Sequence, residues 1–449
     1  MFFMKKIFKF FGLPFLILLI YYGYTNYPLT LLSGFSSKSL ASAYFIDHRH
    51  QEMIENGDND FSVIFLATNN IDENLKFATS SVFGLKERKA IYREGLGATL
   101  INDNFDFSKP YEVPKRTKLV NNLPFPYGNK EPKDTVFANI DYQKLEKAVA
   151  NAFDSKGKIK KRTRSVLVIH KDKIIAEKYV TGFNKNSIIL GWSMTKSITS
   201  TYFGILQKQG KYNINKPAPI TEWANDERKI ITTNDLLHMN SGLEWNETYG
   251  KISDITKMLF FDADMTKSQI DKPLVGKPNA TWNYSSGTAN LLSGILRKQF
   301  KTHQEYLDFW YSALIDKIGM NSMIIETDMD GNFVGSSYGW ATTRDWAKFG
   351  LLYLHKGNWN GEQLFDESWA KYVATPTKNS NGKYGAHFWL NAGGRYPDAP
   401  RDMYFCSGFQ GQKVCIIPSL DLVVVRMGLT DDEKFDFNEF LKGIIGSLK

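Results

Sequence analysis

Only two cysteines, Cys406 and Cys415, occur in 449 residues. They cannot build a disulfide framework, and nine residues apart in one apolar segment they say little about redox compartment. Metal-ligating patterns are equally scarce: His48-Arg49-His50 is the single close histidine pair, and no carboxylate or cysteine cluster at ligand spacing accompanies it. No metal is expected. No glycine-rich loop of the Walker or dinucleotide type occurs, so no nucleotide cofactor is expected either. The formal charge is +9, yet Lys and Arg are scattered among Asp and Glu without a long basic tract. Together with the lack of a recognisable module, this argues against nucleic-acid binding.

With 43% hydrophobic and 23% charged residues the chain reads as globular, and its length suits one large catalytic domain plus an accessory segment. Lys5, Lys6 and Lys9 precede an apolar run from Phe10 to Tyr24, a basic flank that should stay cytoplasmic while the chain beyond the run is exported. The reading is an uncleaved single-pass membrane anchor over residues 1–25, with the rest of the chain on the periplasmic side. Signal cleavage and secretion is the alternative, although the nearest small-x-small site, Ala41-Ser42-Ala43, lies well beyond the run. Short apolar runs at Ser62 to Ala67, Ser81 to Leu85 and Ala90 to Leu100 then suggest a small β-rich segment. Five prolines between Pro110 and Pro132 exclude a long helix or central strand there. The expected organisation is thus an anchor at 1–25, a membrane-proximal β-rich segment and Pro-rich linker at 26–135, and a catalytic domain at 136–449.

Within that domain Leu145, Ala148, Val149 and Phe153 repeat at helical spacing, predicting a helix over Asp141 to Asp154. Ser165 to His170 and Lys173 to Val180 read as strands joined by a two-residue hairpin at Lys171-Asp172. Further helices are predicted over Thr195 to Gln207, Gln304 to Ile318 and Thr343 to His355. Strands come next at Lys413 to Pro418 and Leu420 to Met427, then a helix over Asp436 to Leu448. Strands at both ends with helices between argue for an α+β fold, in which one antiparallel sheet is built from both ends of the domain around a helical insertion.

Ser-x-x-Lys carries chemistry on a helix because residues three apart share a face, about 5 to 6 Å between Cβ atoms, so hydroxyl and amine can meet. The pattern occurs at Ser155/Lys158, Ser193/Lys196, Ser368/Lys371 and Ser380/Lys383. Context separates them. Ser155 and Ser380 lie in polar, Gly-containing stretches and Ser368 opens a charged, surface-like helix, whereas Ser193 follows Ile188-Ile189-Leu190-Gly191-Trp192 and leads into a run poor in charge. A lysine with a reference pKa of about 10.4 must lose roughly 3 units to act as a base near neutrality, and only such a run can desolvate it. The competing reading makes Ser193 a helix cap and Lys196 a surface residue. Gly335-Ser336-Ser337-Tyr338-Gly339 matches the Gly-x-Ser-x-Gly elbow but lacks a firm preceding strand and an immediate helix, so it reads as a glycine-rich turn.

Three motifs in order, Ser193-Met194-Thr195-Lys196, Tyr284-Ser285-Ser286 and Cys406-Ser407-Gly408, resemble those of the beta-lactamase-related serine hydrolases. That family includes class C enzymes, D-alanyl-D-alanine peptidases, esterases and 6-aminohexanoate-dimer hydrolases, the last looking closest. The resemblance covers most of residues 136–449 and implies a beta-lactamase/DD-peptidase-like fold. Carried over by position, it makes Ser193 the nucleophile, Lys196 its base and Tyr284 the relay to the leaving group. Ser286, Ser407, Gly408 and Phe409 would bind substrate or the oxyanion, the last through its backbone N–H. Cys406 stands where the family has a basic residue and Ser286 where it has asparagine, which argues against efficient penicillin or peptide-terminus cleavage. The function implied is hydrolysis of a small-molecule ester or small amide through an acyl-enzyme. The alternative is a catalytically weak penicillin-binding-like protein that holds a cell-envelope ligand in the same cleft.

Overall fold

The computed structural model describes residues 28–155, 160–430 and 434–448, with Pro14, Leu19 and Tyr21. The expected anchor therefore falls almost wholly outside the described residues. Among those described, no helix is long and apolar enough to cross a membrane. The chain forms two compact units, Met1–Lys109 with Asn246–Ala263, and Pro110–Trp245 with Asp264–Lys449.

The first unit is not purely β. It opens with α1 (Pro28–Asp47), packed on an antiparallel meander of β1 (Ala67–Asp72), β2 (Phe77–Val82), β3 (Leu85–Arg93) and β4 (Gly97–Ile101). The sequence hid this helix because its buried residues mix polar with apolar: Ser33, Ser36, Ser37, Lys38 and Ser42 are buried alongside Phe35, Leu40 and Ile46, and the Ser36 hydroxyl donates to Asn69 Oδ1 on β1 at 2.7 Å. Hydrophobic periodicity has little to register on such a face, and tertiary packing overrides poor intrinsic propensity. The excursion Asn246–Ala263 completes this unit: Phe35 meets Phe61 and Phe260 at ring distances of 5.1 and 5.6 Å.

The proline-rich stretch, expected to be a linker, groups with the second unit from Pro110 onward. The physical reason is a set of long-range bonds: Arg116 donates to Asp316 Oδ1 at 2.6 and 2.9 Å, and the Leu119 amide to Asn321 Oδ1 at 3.0 Å. The second unit continues with α2 (Tyr142–Asn151), β5 (Thr163–His170), β6 (Lys173–Tyr179), β7 (Ile188–Leu190) and α3 (Thr195–Lys208). Next come α4 (Ser286–Arg297), β8 (Ile324–Ile325), β9 (Gly339–Thr342), α5 (Thr343–Leu354) and α6 (Glu367–Val373). The chain ends with β10 (Trp389–Leu390), β11 (Tyr404–Gly408), β12 (Gln412–Ile417), β13 (Leu422–Gly428) and α7 (Phe437–Ile445).

Six strands form one antiparallel sheet in the order β10-β11-β12-β13-β5-β6, so the two ends of the domain meet where Val425 of β13 pairs with Leu167 of β5. The Lys171-Asp172 hairpin forms as predicted, both residues at positive φ (48° and 60°), the backbone that a two-residue turn between twisted strands requires. Every residue of β5 is buried, because both faces of the sheet are covered. Val166, Val168, Phe405, Cys415 and Val424 pack with Leu145, Phe440 and Ile444 of α2 and α7. On the opposite face a side chain at Gly350 of α5 would strike Val414 and Val423 at 2.8 and 2.9 Å. A second sheet, β7-β9-β8, stands ahead of α3.

Candidate active site

Ser193 lies in a 3-10 turn, Trp192–Met194, that feeds directly into α3. The approach is forced. Trp192 has φ 49°, a left-handed conformation costing a non-glycine residue about 1 to 3 kcal/mol, and Gly191 is wedged so that a Cβ there would meet Trp346 at 2.2 Å. The Gly191 amide is held by Gly339 O of β9 at 2.8 Å. The result is a partly accessible serine beside the positive end of a buried fourteen-residue helix, where an adjacent negative charge is favoured.

Lys196, on the first turn of α3, is 1% exposed. Its amine meets Ser193 Oγ at 3.0 Å, Ser286 Oγ at 2.9 Å and the Ser336 carbonyl at 2.9 Å. The hydroxyl and the amine expected to meet do meet. Ser336 was the part of the clamp that sequence reasoning missed; its Gly-x-Ser-x-Gly turn is no elbow, since Ser336 and Ser337 are buried, but it supplies the carbonyl. The signal was the glycine spacing itself, read for the wrong chemistry. Asn290 of α4 takes the Ser336 amide at 3.0 Å, and Thr195 and Thr199 of α3 bind Gly339 N and Gly335 O at 2.9 and 2.8 Å.

Tyr284 and Ser286 are positioned by the start of α4. Ser285 caps that helix, accepting the Thr288 amide at 2.9 Å and donating to Gln269 Oε1 at 2.6 Å. The Lys196 amine sits 5.0 Å from the centroid of the Tyr284 ring, which packs against Trp389 and Tyr384 at 5.3 and 5.7 Å. Ser286, expected to touch substrate, is instead fully buried and faces the lysine.

The third motif also divides differently from expectation. Gly408 packs backbone to backbone on the Ser193 turn, where a Cβ would come 2.0 Å from Gly191 O, and Phe409 meets the Trp192 ring edge-on at 5.6 Å. Ser407 does not share that side: its hydroxyl accepts from Lys413 Nζ at 2.9 Å, and that amine lies over Phe405 and Phe437 on the sheet's other face. Successive residues of a strand alternate faces, so Cys406 and Ser407 cannot both look at Ser193. Cys406 is buried with Ser197 as its hydrogen-bond neighbour, and burial pushes its thiol up to about 12. The thiol supplies no cation. Buried His387 is a further neighbour not foreseen: its carbonyl accepts from Ser197 Oγ at 2.7 Å, and burial together with Lys196 holds its imidazole well below the usual range.

A serine on the turn that leads into a helix, a buried lysine on that helix's first turn, a tyrosine just ahead of a second helix and a sheet strand alongside define a serine hydrolase of the penicillin-recognising architecture. The chain belongs to the beta-lactamase family, which residues 149–439 match. No protein of curated function matches in sequence. Among solved structures, a Caulobacter crescentus penicillin-binding protein homologue superposes with a TM-score of 0.54 at 12% identity, over 71% of this chain and 100% of the other. A Bacillus anthracis protein assigned as a 6-aminohexanoate-dimer hydrolase gives 0.54 at 19% identity, over 64% of this chain and 78% of the other. A family VIII carboxylesterase gives 0.52 at 14%, over 71% and 99%. At these identities the likeness is one of fold.

Proposed function

We propose that this protein hydrolyses ester or small amide bonds by a Ser193–Lys196–Tyr284 acyl-enzyme mechanism. The observation that carries the reading is the 3.0 Å separation of Lys196 Nζ and Ser193 Oγ inside a buried clamp. In the first step the Ser193 oxygen attacks the substrate carbonyl and its proton passes to the amine. The oxyanion is taken by the backbone N–H groups of Ser193 and Phe409. The proton then moves by way of Tyr284 to the leaving oxygen or nitrogen as the carbonyl re-forms, and water releases the acyl group by the reverse relay. A neutral third motif, with Cys406 uncharged and Lys413 turned to the other face, supports substrates without a carboxylate held beside the scissile bond. The esterase relatives of the same fold support that preference.

A fluorophosphonate probe should label the wild type and fail on Ser193→Ala, and a panel of p-nitrophenyl esters, short amides and nitrocefin should show ester turnover above nitrocefin turnover. Silence of both proteins toward the probe would replace this reading with that of a binding protein for a cell-envelope ligand. We also propose that residues 1–25 anchor the chain with the catalytic unit on the exported side, on the strength of Lys5, Lys6 and Lys9 ahead of the apolar run. Release of full-length protein from membranes by salt or carbonate alone would refute that.

A further inference from the structure

At the end of β11 remote from Phe409, a pocket of about 510 Å³ opens between α5, α6 and the start of the strand. That volume lies in the range of about 300 to 1,000 Å³ typical of small-molecule sites. Tyr404 lines it, and Gly408, four residues along the strand, packs on the nucleophile turn. At about 3.3 Å per residue the two places are roughly 13 Å apart. Much of the wall is apolar, with Leu354, Ala370, Leu390 and Met403 prominent.

The charges around it are unequal in their commitments. Glu367 is engaged by Lys356 at 3.5 Å, and Asp402 accepts the Ser419 amide and hydroxyl at 2.7 and 2.9 Å. Lys371 and Arg401, which line the same pocket, form no ion pair among the described residues. The Arg401 guanidinium also lies close to Gly394, where a Cβ would sit 1.7 Å from it. Three cations against two acids leave the lining with one positive charge in excess, which suits a monoanion.

We infer that this pocket binds a small amphipathic carboxylate, the carboxylate taken by Arg401 and Lys371 and the apolar body lying along Leu354, Leu390 and Met403. An arginine fork matches the two oxygens of such a group, and an apolar wall rewards the chain behind it. The inference does not rest on Ser193 acting as nucleophile.

The test titrates the full chain with decanoate below its micellar concentration, by calorimetry, beside an Arg401→Ala/Lys371→Ala double variant and with decanol as the uncharged comparator. Saturable binding to the wild type, weakened tenfold or more in the double variant and at least tenfold weaker for decanol, is expected. Thermal melts of the ligand-free proteins should coincide, and decanoate should raise the melting temperature of the wild type only. Absence of binding to the wild type, equal affinity in the double variant, or decanol binding as tightly as decanoate would each overturn the assignment.

Discussion

Gly408→Ala places one methyl group where the structure has least room for it. The new Cβ would lie 2.0 Å from Gly191 O and 3.1 Å from the Gly191 carbonyl carbon, atoms of backbone that cannot rotate away. The first contact is about 1 Å shorter than real Cβ atoms tolerate, so β11 and the Trp192–Met194 turn must separate by roughly that amount. Gly191 cannot yield in the other direction, because Trp346 already closes on it. The separation has two costs. Overpacking of this size destabilises by about 1 to 3 kcal/mol, a fall of several degrees in melting temperature. On the proposed mechanism, displacing the Phe409 amide from Ser193 removes one oxyanion donor, which typically lowers kcat by about 10² to 10³, and a 1 Å misplacement alone can cost about 10²-fold. The assay is p-nitrophenyl ester hydrolysis, with kcat and KM separated, beside a melt and a Gly250→Ala control whose Cβ meets nothing within 4 Å. A Gly408→Ala enzyme with a wild-type melt and kcat within threefold of wild type would show that the third motif does not abut the nucleophile turn.

If Lys196 is the base as proposed, Lys196→Met should lower kcat by about 10³-fold or more, whereas Ser286→Ala, removing one partner of the amine, should cost about ten- to hundredfold. Equal losses in the two variants would mean that Ser286 itself carries the proton. His238 is buried and its pKa falls to about 4 for that reason, below the unfolded value of about 6.5. Its stabilising contribution is therefore complete above pH 6.5 and is lost as the pH falls toward 4, on the order of 3 kcal/mol. Melts at pH 7 and 4.5 should show a smaller drop for His238→Gln than for wild type, and an identical drop would refute the linkage. Buried Cys406, its thiol pushed up to about 12, and buried Cys415 should resist iodoacetamide at pH 8 until the chain unfolds, as peptide mass spectrometry would show.

How much of the molecule could be read from sequence depends on the range of the forces involved. Helix α3 was legible to within a residue because its charge-poor run and its neighbours in the chain decide it. The terminal strands were legible because apolar segments of that length have few other uses. The Ser336 carbonyl was not, since it reaches Lys196 across 140 positions and a carbonyl carries no residue-type signature. The side taken by Ser407 depends on register, and a shift of one residue reverses every face. Ser286 was named from its position in a motif, but its burial depends on how α4 packs on α3, which no local pattern records. The excursion Asn246–Ala263 joins a unit that begins some two hundred residues earlier, and nothing in its composition marks the change of partner.

The contacts of Lys196 with Ser193, Ser286 and the Ser336 carbonyl constrain the protonation logic more tightly than the Ser-x-x-Lys spacing does. An ammonium has three N–H donors and would fill all three contacts by donating. A neutral amine has two donors and one lone pair, so one of the three contacts must then run from a hydroxyl to the nitrogen. The Ser336 carbonyl can only accept, and it claims one N–H in either state. Of these three contacts, only those with Ser193 and Ser286 can receive the lone pair. When the buried Ser286 accepts the second N–H, the lone pair can turn to the Ser193 hydroxyl, the arrangement that the proposed mechanism needs to start the attack. On the proposed mechanism, the backbone carbonyl of a glycine-bounded turn and a fully buried serine thus bias together which hydroxyl the amine can deprotonate. The Lys196 side chain need not move to make the choice; rotation of two hydroxyl groups suffices.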